Sequence, residues 1–179
     1  MDRHAATALI RPLGQPGDLG WVVMAHGEVY AAEFGWDTSF EALVARIVAD
    51  YAGKPRDEHD AAWIAELGGE RAGCVFCVRG DEPETARLRI LLVHPRARGR
   101  DIGSRLVRTA LEFAEAAGYR RVQLWTNHPL TAARRIYLRH GFNLVQEEPH
   151  HSFGVELVGQ TYELDLSRGR WAGHGPRAR

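Results

Sequence analysis

The sequence predicts a single α+β domain in which a mixed, mostly antiparallel central sheet carries helices on both faces. The chain has 179 residues, of which 45% are hydrophobic and 26% are charged, enough for one sizeable core. Extended segments between residues 61 and 93 alternate with Gly-containing turns, a pattern typical of an antiparallel meander. After residue 93 the pattern changes to alternating strands and helices, which indicates βα units.

The first part of the chain predicts one short strand and two helices. Apolar residues recur at helical spacing after Asp18, the expected N-cap of the first helix, and again after Ser39. Gly35 separates the two helices, and Gly53 ends the second one. The predicted elements are a strand over 8–10, a helix from 18 to the break at 35, and a helix over 39–51.

The remaining elements are bounded by turn residues. The pair at 68–69 and the cluster at 80–83 separate the three strands of the meander, while Gly118 and Gly141 directly follow two amphipathic segments, where helices commonly end. The predicted elements are strands over 61–67, 71–78 and 85–93, a helix over 102–117, a strand over 121–126, a helix over 130–140, and strands over 142–146 and 159–166 with a loop at 149–154 between them. We expect residues 1–7 to be an N-terminal extension, 8–166 the domain, and the Arg-rich, acid-free stretch 167–179 a disordered tail.

Composition excludes several classes of protein. Lys plus Arg and Asp plus Glu both number 23, so no overall positive field exists to hold nucleic acid or an anionic membrane. No apolar run approaches the ~18 residues that a membrane helix needs, and the N-terminus lacks the apolar stretch of a signal peptide. We therefore expect a cytoplasmic protein without nucleic-acid or membrane partners.

Metal binding is not predicted. Cys74 and Cys77 lie three positions apart in a predicted strand, so their side chains point to opposite faces and are interpreted as small buried hydrophobes. The adjacent His150 and His151 are too weak a pattern for a metal site.

The loop after Val93 carries the strongest indication of chemistry. A buried strand ends, a loop with Gly99 follows, and a strong helix begins near Gly103. Such a turn leaves backbone N–H groups unpaired at the positive end of the helix dipole, which suits phosphate oxygens. Arg98 and Arg100 add local positive charge. On this segment alone, a plain connecting loop explains the pattern equally well.

This loop resembles the acetyl-coenzyme A (acetyl-CoA) loop of the GNAT superfamily of N-acetyltransferases. The family pattern Arg/Gln-x-x-Gly-x-Gly/Ala, after a strand ending in Val-x-Pro, matches Val93–Pro95 followed by Arg98–Gly103. A second signature follows in the expected order, formed by Asn127, Ala132, Ala133, Tyr137, Gly141 and Phe142. The resemblance extends over residues 8–166 and implies the three-layer αβα GNAT fold.

The C-terminal part resembles a narrower group within this superfamily. The turn at 125–127 and the segments 149–154 and 159–160 are most similar to GNAT domains often fused behind MarR-type transcriptional regulators. Residues 1–7 are too short for a DNA-binding half, so none is expected in this sequence.

The GNAT resemblance implies direct transfer of an acetyl group from acetyl-CoA to an amine, with no metal ion. It implies that Tyr137 donates a proton to the departing thiolate, since a phenol stays protonated at neutral pH. Helical spacing alone favours a core role for Tyr137, but the complete motif favours the catalytic one. The residues implied to bind the coenzyme are Leu92, Val93, Arg98, Gly99, Arg100, Asp101, Ile102, Gly103, Ser104, Asn127 and Ala133. For Asn127, a helix cap or a turn with His128 is an equally good interpretation.

Asp101 departs from the family pattern, which has Gly at this position. Asp tolerates left-handed backbone better than most residues, so the turn itself is compatible with it. Its carboxylate, however, directly precedes a helix and could cap the N–H groups that a diphosphate would use. We predict that coenzyme A still binds, but more weakly than it would with Gly.

The acceptor pocket and the base are less clear from the sequence. Glu33 and Trp36 lie at the break between the first two helices, where the superfamily places its acceptor, and a carboxylate beside an indole suits an amine cation. A surface Glu and a core Trp are at least as good an interpretation. His150 is a third candidate substrate residue. The candidates for the base are Glu33, Asp37, Glu66, His94 and His150.

The predicted function is N-acetyl transfer from acetyl-CoA to a small amine or a protein amino group, with homodimerisation left open. The first alternative keeps the fold without the chemistry, as a catalytically weak coenzyme-binding or regulatory module. The second is a partner of a separate transcription regulator.

Overall fold

The computed structural model describes residues 7–167 and 169. The predicted N-terminal extension and C-terminal tail lie almost entirely outside this range. The strands are β1 (Leu9–Pro12), β2 (Ala61–Leu67), β3 (Glu70–Arg79), β4 (Thr85–Val93), β5 (Arg121–Asn127), β6 (Asn143–Ser152) and β7 (Val155–Asp165). The helices are α1 (Asp18–Phe34), α2 (Thr38–Ala52), α3 (Ile102–Ala116) and α4 (Thr131–Arg139), with a short 3-10 turn at Pro95–Ala97.

The seven strands form one sheet in the order β1-β2-β3-β4-β5-β7-β6. Only β4 and β5 are parallel, and all other neighbours are antiparallel. The helices α1 and α2 cover one face, whereas α3 and α4 cover the other. The predicted α+β class and the mixed, mostly antiparallel sheet are therefore confirmed.

The two faces of the sheet carry separate apolar cores, because side chains alternate along each strand. On one face Val75 and Cys77 pack against the buried stripe of α3. On the other face Cys74 and Phe76 pack against α1 and α2. Both cysteines are free and fully buried, and they point to opposite faces as predicted.

The start of α1 differs from the prediction. Gly17, with a φ of 89°, is the N-cap, and Asp18 is the first helical residue and fully buried. Its carboxylate accepts hydrogen bonds from Arg11 Nη1 at 2.8 Å, from Arg71 Nε at 2.8 Å and from two backbone N–H groups of the preceding turn. The Arg11 hydrogen bond in particular holds the pKa of Asp18 well below its usual range. The residue thus joins β1, α1 and β3, which a local cap pattern could not indicate.

The predicted loop over 149–154 is wrong. β6 and β7 pair continuously up to Ser152 and Val155, and only Phe153 and Gly154 form the turn. Their φ angles of 58° and 79° are those of a tight hairpin whose twist matches the strands. Pro149 is typical of a loop, but β6 is an edge strand, where a residue without a backbone N–H group is tolerated.

The β6–β7 turn is fastened to the junction between α1 and α2. The ring of Phe153 lies 4.9 Å from that of Trp36 and 5.1 Å from that of Phe40. Its carbonyl oxygen accepts a hydrogen bond from the Asp37 N–H at 3.0 Å. These contacts offset the cost of a left-handed backbone at an aromatic residue.

A fork between β4 and β5 opens the space for a site. The two strands pair only from Thr85–Arg121 to Leu88–Leu124, and no pairs follow beyond this point. On its other side β4 contains a bulge against β3, where Ile90 has a φ of 46°, an outlier for a β-branched residue. The bulge bends β4 away from β5, so the two strands separate toward their carboxyl ends.

Candidate active site

Two hollows meet at this fork. The first, here called the helix-end cleft, has a volume of about 790 Å³ and lies between α1, the end of β4, the start of α3 and α4. The second, here called the aromatic cavity, has a volume of about 370 Å³ and lies between α1, α2 and the diverging strands. Tyr30, Leu91, Leu130 and Ala133 line both. A ligand in the cleft can therefore reach a second molecule in the cavity.

The floor of the helix-end cleft is a run of unpaired backbone donors. Within the described part of the chain, no N–H group from Gly99 to Ser104 donates to a protein acceptor, and the first that does is that of Arg105, to the Asp101 carbonyl at 3.1 Å. Gly99 and Asp101 are left-handed, with φ angles of 76° and 56°. Successive N–H groups in such a backbone form a concave nest for an anion, here at a helix N-terminus.

The carboxylate of Asp101 does not occupy these donors. Asp101 adopts the left-handed conformation that its residue type was expected to tolerate, but its exposed side chain makes no capping hydrogen bond to α3. The nest therefore remains open, although a negative charge stands at its rim.

Arginines supply the positive charge of the cleft. Arg98 lines it and forms an ion pair with Glu33 of α1, with 2.7 Å between Nη1 and Oε1. Arg135 and Arg139, spaced by one turn of α4, also line the cleft and were missed by the sequence prediction, whereas Arg100 does not line it. The signal for the missed pair is their i, i+4 spacing, which places both on one helix face.

The other expected coenzyme residues, Asn127 excepted, lie along the cleft. Leu92, Val93, Ile102, Gly103, Ser104 and Ala133 all line it. A Cβ atom on Gly103 would lie 2.6 Å from Ile136 Cδ1, so a larger residue here would force the end of the Ile136 side chain to shift where α3 packs closely on α4. Close packing on α4 is thus a second reason for a glycine at this position, beside the expected approach of a ligand backbone.

Two tyrosines line the aromatic cavity. Tyr137 lines the aromatic cavity and Tyr30 lines both spaces, and neither hydroxyl has a hydrogen-bond partner among the described residues. Burial raises the pKa of both phenols above the usual value, and the nearby Tyr30 adds to this effect at Tyr137, so both phenols stay protonated. Tyr137 also packs against Phe142 at 5.8 Å between ring centroids, and so belongs to the core as well.

Asn127 lies in the aromatic cavity rather than in the cleft. It is buried, and its Oδ1 lies 2.8 Å from Nε2 of His150, whose Nδ1 is 2.9 Å from the Ser152 hydroxyl. Its backbone carbonyl accepts the Leu130 N–H at 3.0 Å, but its side chain does not cap α4. The backbone of Asn127 thus forms a turn, whereas its side chain is held by His150, which does not itself line the cavity.

The structure does not bring Glu33 and Trp36 together. Glu33 faces the helix-end cleft and its Arg98 partner, whereas Trp36, 3% exposed, forms part of the wall of the aromatic cavity. The tryptophan packs on Tyr30 and Phe40 with ring centroids 5.1 and 4.7 Å apart. Trp36 is therefore a core residue that also borders the aromatic cavity.

None of the five residues proposed as a base lines the aromatic cavity. Asp37 caps α2 through the Ser39 N–H at 2.9 Å, and these contacts with Ser39 lower its pKa. Glu66 accepts a hydrogen bond from Arg11 Nε at 2.6 Å. His94 caps the 3-10 turn, and burial followed by two nearby arginines lowers its pKa. Glu33 and His150 have the partners given above.

His26 on α1 is the imidazole that does line this cavity, and the sequence prediction missed it. Its Nδ1 lies 2.7 Å from the Val22 carbonyl, so Nδ1 carries the hydrogen and Nε2 has a lone pair. Nε2 is the only fully buried side-chain nitrogen or oxygen without a partner among the described residues. Burial lowers the pKa of His26 to about 4, opposed by the Val22 and Ile90 carbonyls, so the ring is neutral at pH 7. Its spacing of four from Tyr30, beside the apolar stripe of α1, is the signal that could have found it.

The charged side chains that line the aromatic cavity are Arg87 and Arg89 of β4, and no Asp or Glu of the described chain joins them. Over residues 7–167 and 169, no three His, Cys, Asp or Glu side chains are grouped closely enough to hold a metal ion. The helices in that range are all too short or too polar to cross a membrane.

Comparison with known proteins adds three kinds of likeness. A family model described as the acetyltransferase (GNAT) family matches residues 23–142. N-acetyltransferase family 8 member 2 of Rattus norvegicus is 32% identical over 118 residues, covering 63% of this chain and 51% of that protein. N-acetylaspartate synthetase of Mus musculus is 34% identical over 102 residues, covering 57% of this chain and 33% of that protein. The chain thus spans between about a third and a half of these relatives.

Solved structures share the fold. A putative acetyltransferase from Salmonella typhimurium, determined with its cofactor acetyl-CoA, superposes with a TM-score of 0.70 at 15% identity. The match covers 89% of this chain and 94% of the other. At this identity the likeness concerns the fold alone.

Proposed function

The chain belongs to the acetyltransferase (GNAT) family, and on that premise we propose that it transfers an acetyl group from acetyl-CoA to an amine held in the aromatic cavity. The observation that carries the proposal is the meeting of two hollows of different character at the β4–β5 fork. The helix-end cleft offers six consecutive backbone donors, and the aromatic cavity is a chamber lined largely by aromatic and aliphatic side chains, with a protonated tyrosine in its wall.

The residues of the helix-end cleft fit the coenzyme. The N–H groups of Gly99 to Ser104 would hold its diphosphate, with Arg135 and Arg139 close by to balance the charge. The edge of β4 that faces β5 has no partner strand beyond Leu88, so backbone groups on this edge near Leu92 and Val93 would hold the pantetheine arm, although the Val93 carbonyl also accepts a hydrogen bond from Arg98 Nε at 3.3 Å. Bound acetyl-CoA would supply an activated acetyl carbonyl and a sulfur leaving group.

The aromatic cavity would favour an uncharged amine. Burial disfavours an ammonium ion, and so do Arg87 and Arg89, while no carboxylate lines the cavity to stabilise one. The acceptor therefore loses its proton to solvent on entering, and a dedicated carboxylate base is not required. The neutral imidazole of His26 adds no positive charge at this wall.

Tyr137 would act as the general acid. As the nitrogen–carbon bond forms and the carbon–sulfur bond breaks, its hydroxyl donates a proton to the departing sulfur, and a proton from the acetylated nitrogen restores the phenol through solvent. Its burial keeps the hydroxyl protonated, and the absence of a protein acceptor for that hydroxyl, among the described residues, leaves the proton available.

We also propose, as the sequence leads us to expect, a cytoplasmic location, a homodimer and a kinship with GNAT domains fused to MarR-type regulators. Co-purification with a regulator would support the last of these.

The experiment is an assay of free coenzyme A thiol with acetyl-CoA and a panel of primary amines. We expect amine-dependent thiol release whose kcat/KM rises with pH, because the amine must enter unprotonated. Thiol release equal to the rate without amine, by protein that binds acetyl-CoA, would contradict the proposal and favour a coenzyme-binding module instead.

A further inference from the structure

Arg89 occupies a singular place in the fold. The last pair between the parallel strands is Leu88–Leu124, so Arg89 is the first residue of β4 beyond the closed part of the fork. It pairs with Phe76 of β3, on the sheet face that carries α1 and α2, and lines the aromatic cavity. Its guanidinium is thus presented where the strands begin to separate.

This guanidinium lacks a counterion in contact. Arg89 is partly buried, yet it makes no hydrogen bond and no ion pair within the described part of the chain. Its neighbour Arg87, by contrast, is ion-paired with Asp81. Asp50 and Asp81 act on Arg89 only through space, and burial together with the like charge of Arg87 lowers its pKa.

A partly buried arginine with free donors is costly unless a ligand supplies the acceptor. Its fork of N–H groups matches a carboxylate in geometry and charge. The helix side of the cavity wall is mostly aromatic or aliphatic, with Trp36, Phe40 and Leu43, whereas its β5 side also carries polar residues such as Gln123 and Thr126. The chamber therefore combines one anion-binding end with a largely apolar wall of helix side chains.

The geometry points to an acceptor amine that carries its own acid group, such as an amino acid with an apolar side chain, whose carboxylate Arg89 binds. This inference rests on the proposed function for the fate of the amine, but the binding site itself does not require turnover. Arg89 then attracts the carboxylate of the acceptor, while burial in a cavity whose described wall holds no Asp or Glu disfavours its ammonium form.

The experiment uses matched ligands and matched variants. L-phenylalanine and its amide, L-phenylalaninamide, differ in the carboxylate, which also raises the pKa of the amino group, so their affinities are compared per unprotonated amine from titrations at several pH values. Both are tested by calorimetric binding in the presence of coenzyme A and by thiol release with acetyl-CoA. Arg89→Met keeps the length of the side chain and removes the charge. Arg46→Met, on the exposed part of α2 and outside the cavity lining, is the control for loss of a positive charge.

We expect the wild type and R46M to bind phenylalanine about tenfold or more tightly than the amide, the scale of a charge-assisted bidentate pair. R89M should lose this preference while it binds the amide as the wild type does. An equal affinity of the wild type for both ligands, or an unchanged preference in R89M, would overturn the inference. Failure of thiol release with preserved carboxylate selectivity in binding would instead contradict the proposed acetyl transfer and leave this site standing.

Discussion

The helix-end cleft and the aromatic cavity are built by opposite means. The cleft is made chiefly of consecutive backbone atoms, six N–H groups of one loop at the start of α3. The cavity is made of side chains from α1, α2, α4, β4, β5 and β7, brought together only by the complete fold. A single substitution can therefore change the chemistry of the cavity directly, whereas the N–H groups of the cleft do not depend on side-chain identity.

The same contrast appears in the charges. In the cleft Arg98 is already paired with Glu33, and the dipoles of the main-chain N–H groups bind anions together with the charges of Arg135 and Arg139. In the cavity the free anion-binding group is a full charge, that of Arg89. Each hollow therefore favours negative ligand groups, but by a different chemistry, and substitutions should separate the two.

The largest expected effect is a loss of kcat when Tyr137, in the wall of the aromatic cavity, is replaced. Tyr137→Phe should lower kcat by about 10²-fold or more, the usual scale of a lost general acid. Acetyl-CoA affinity should stay within about twofold, because Tyr137 does not line the cleft. Steady-state kinetics and calorimetry measure the two quantities.

Tyr162→Phe is the matched control for this change. Tyr162 packs beside Tyr137 with ring centroids 6.4 Å apart, and its hydroxyl bonds to Gln160 at 3.4 Å rather than facing the cavity. Equal kcat values for the two variants would exclude Tyr137 as the acid.

The next effect concerns the buried imidazole of the cavity wall. The folded-state pKa of His26, about 4, lies below the usual value near 6.5, so the unfolded chain takes up a proton first as the pH falls. Stability should therefore be lost progressively below pH 6.5, by about 2 kcal/mol between pH 7 and pH 5 from this residue.

His26→Phe should remove this part of the pH dependence, measured as the difference in free energy of urea unfolding between the two pH values. His128→Gln, at an exposed position, should leave the pH dependence as in the wild type. An identical slope for H26F and wild type would show that His26 is not held neutral.

A smaller effect is expected in the cleft from Ser104→Glu. Ser104 is the third residue of α3, where a carboxylate interacts favourably with the helix dipole, although the substitution removes the hydrogen bond between the Ser104 hydroxyl and His140 Nε2 at 2.9 Å. The same charge should weaken acetyl-CoA binding by about tenfold, since it stands where the diphosphate is expected. Thr109→Glu, more than one turn along α3, is the control, and equal affinities for both variants would disprove this placement of the diphosphate.

The smallest effect is expected at the rim of the nest. Asp101→Gly removes a like charge and keeps a residue suited to the left-handed backbone, so acetyl-CoA affinity should rise a few-fold. Calorimetry checks it, and a substantial loss of affinity would mean that the carboxylate helps to form the nest.

The cleft was largely predictable from the sequence because its information is local. A strand, two glycines and an amphipathic helix in succession determine where Gly99 to Ser104 place their N–H groups. The sequence could not show that Glu33 would pair with Arg98, since the two lie far apart in the chain. Nor did the pattern indicate that the Asp101 side chain would leave the helix end open.

The cavity was poorly predictable because its residues serve the core as well. His26 and Tyr30 fall on the packed face of α1, and a pattern of apolar spacing alone passes over them. The role of Arg89 depends on where β4 parts from β5, a property of pairing between distant segments. The hairpin at Phe153 was likewise not predicted, because Pro149 is typical of a loop, whereas an edge strand tolerates a residue without a backbone N–H group.

The most direct measurement compares acetyl-CoA with S-acetyl-pantetheine, which carries the same thioester arm without the diphosphate and the phosphorylated adenosine, by calorimetric titration of the wild-type protein. The backbone nest predicts that acetyl-CoA binds in the micromolar range and that S-acetyl-pantetheine binds about 100-fold more weakly or worse, since the charge-assisted contacts are lost. Equal affinities, or no detectable binding of acetyl-CoA at millimolar concentration, would contradict the account of the cleft on which the proposed transfer depends.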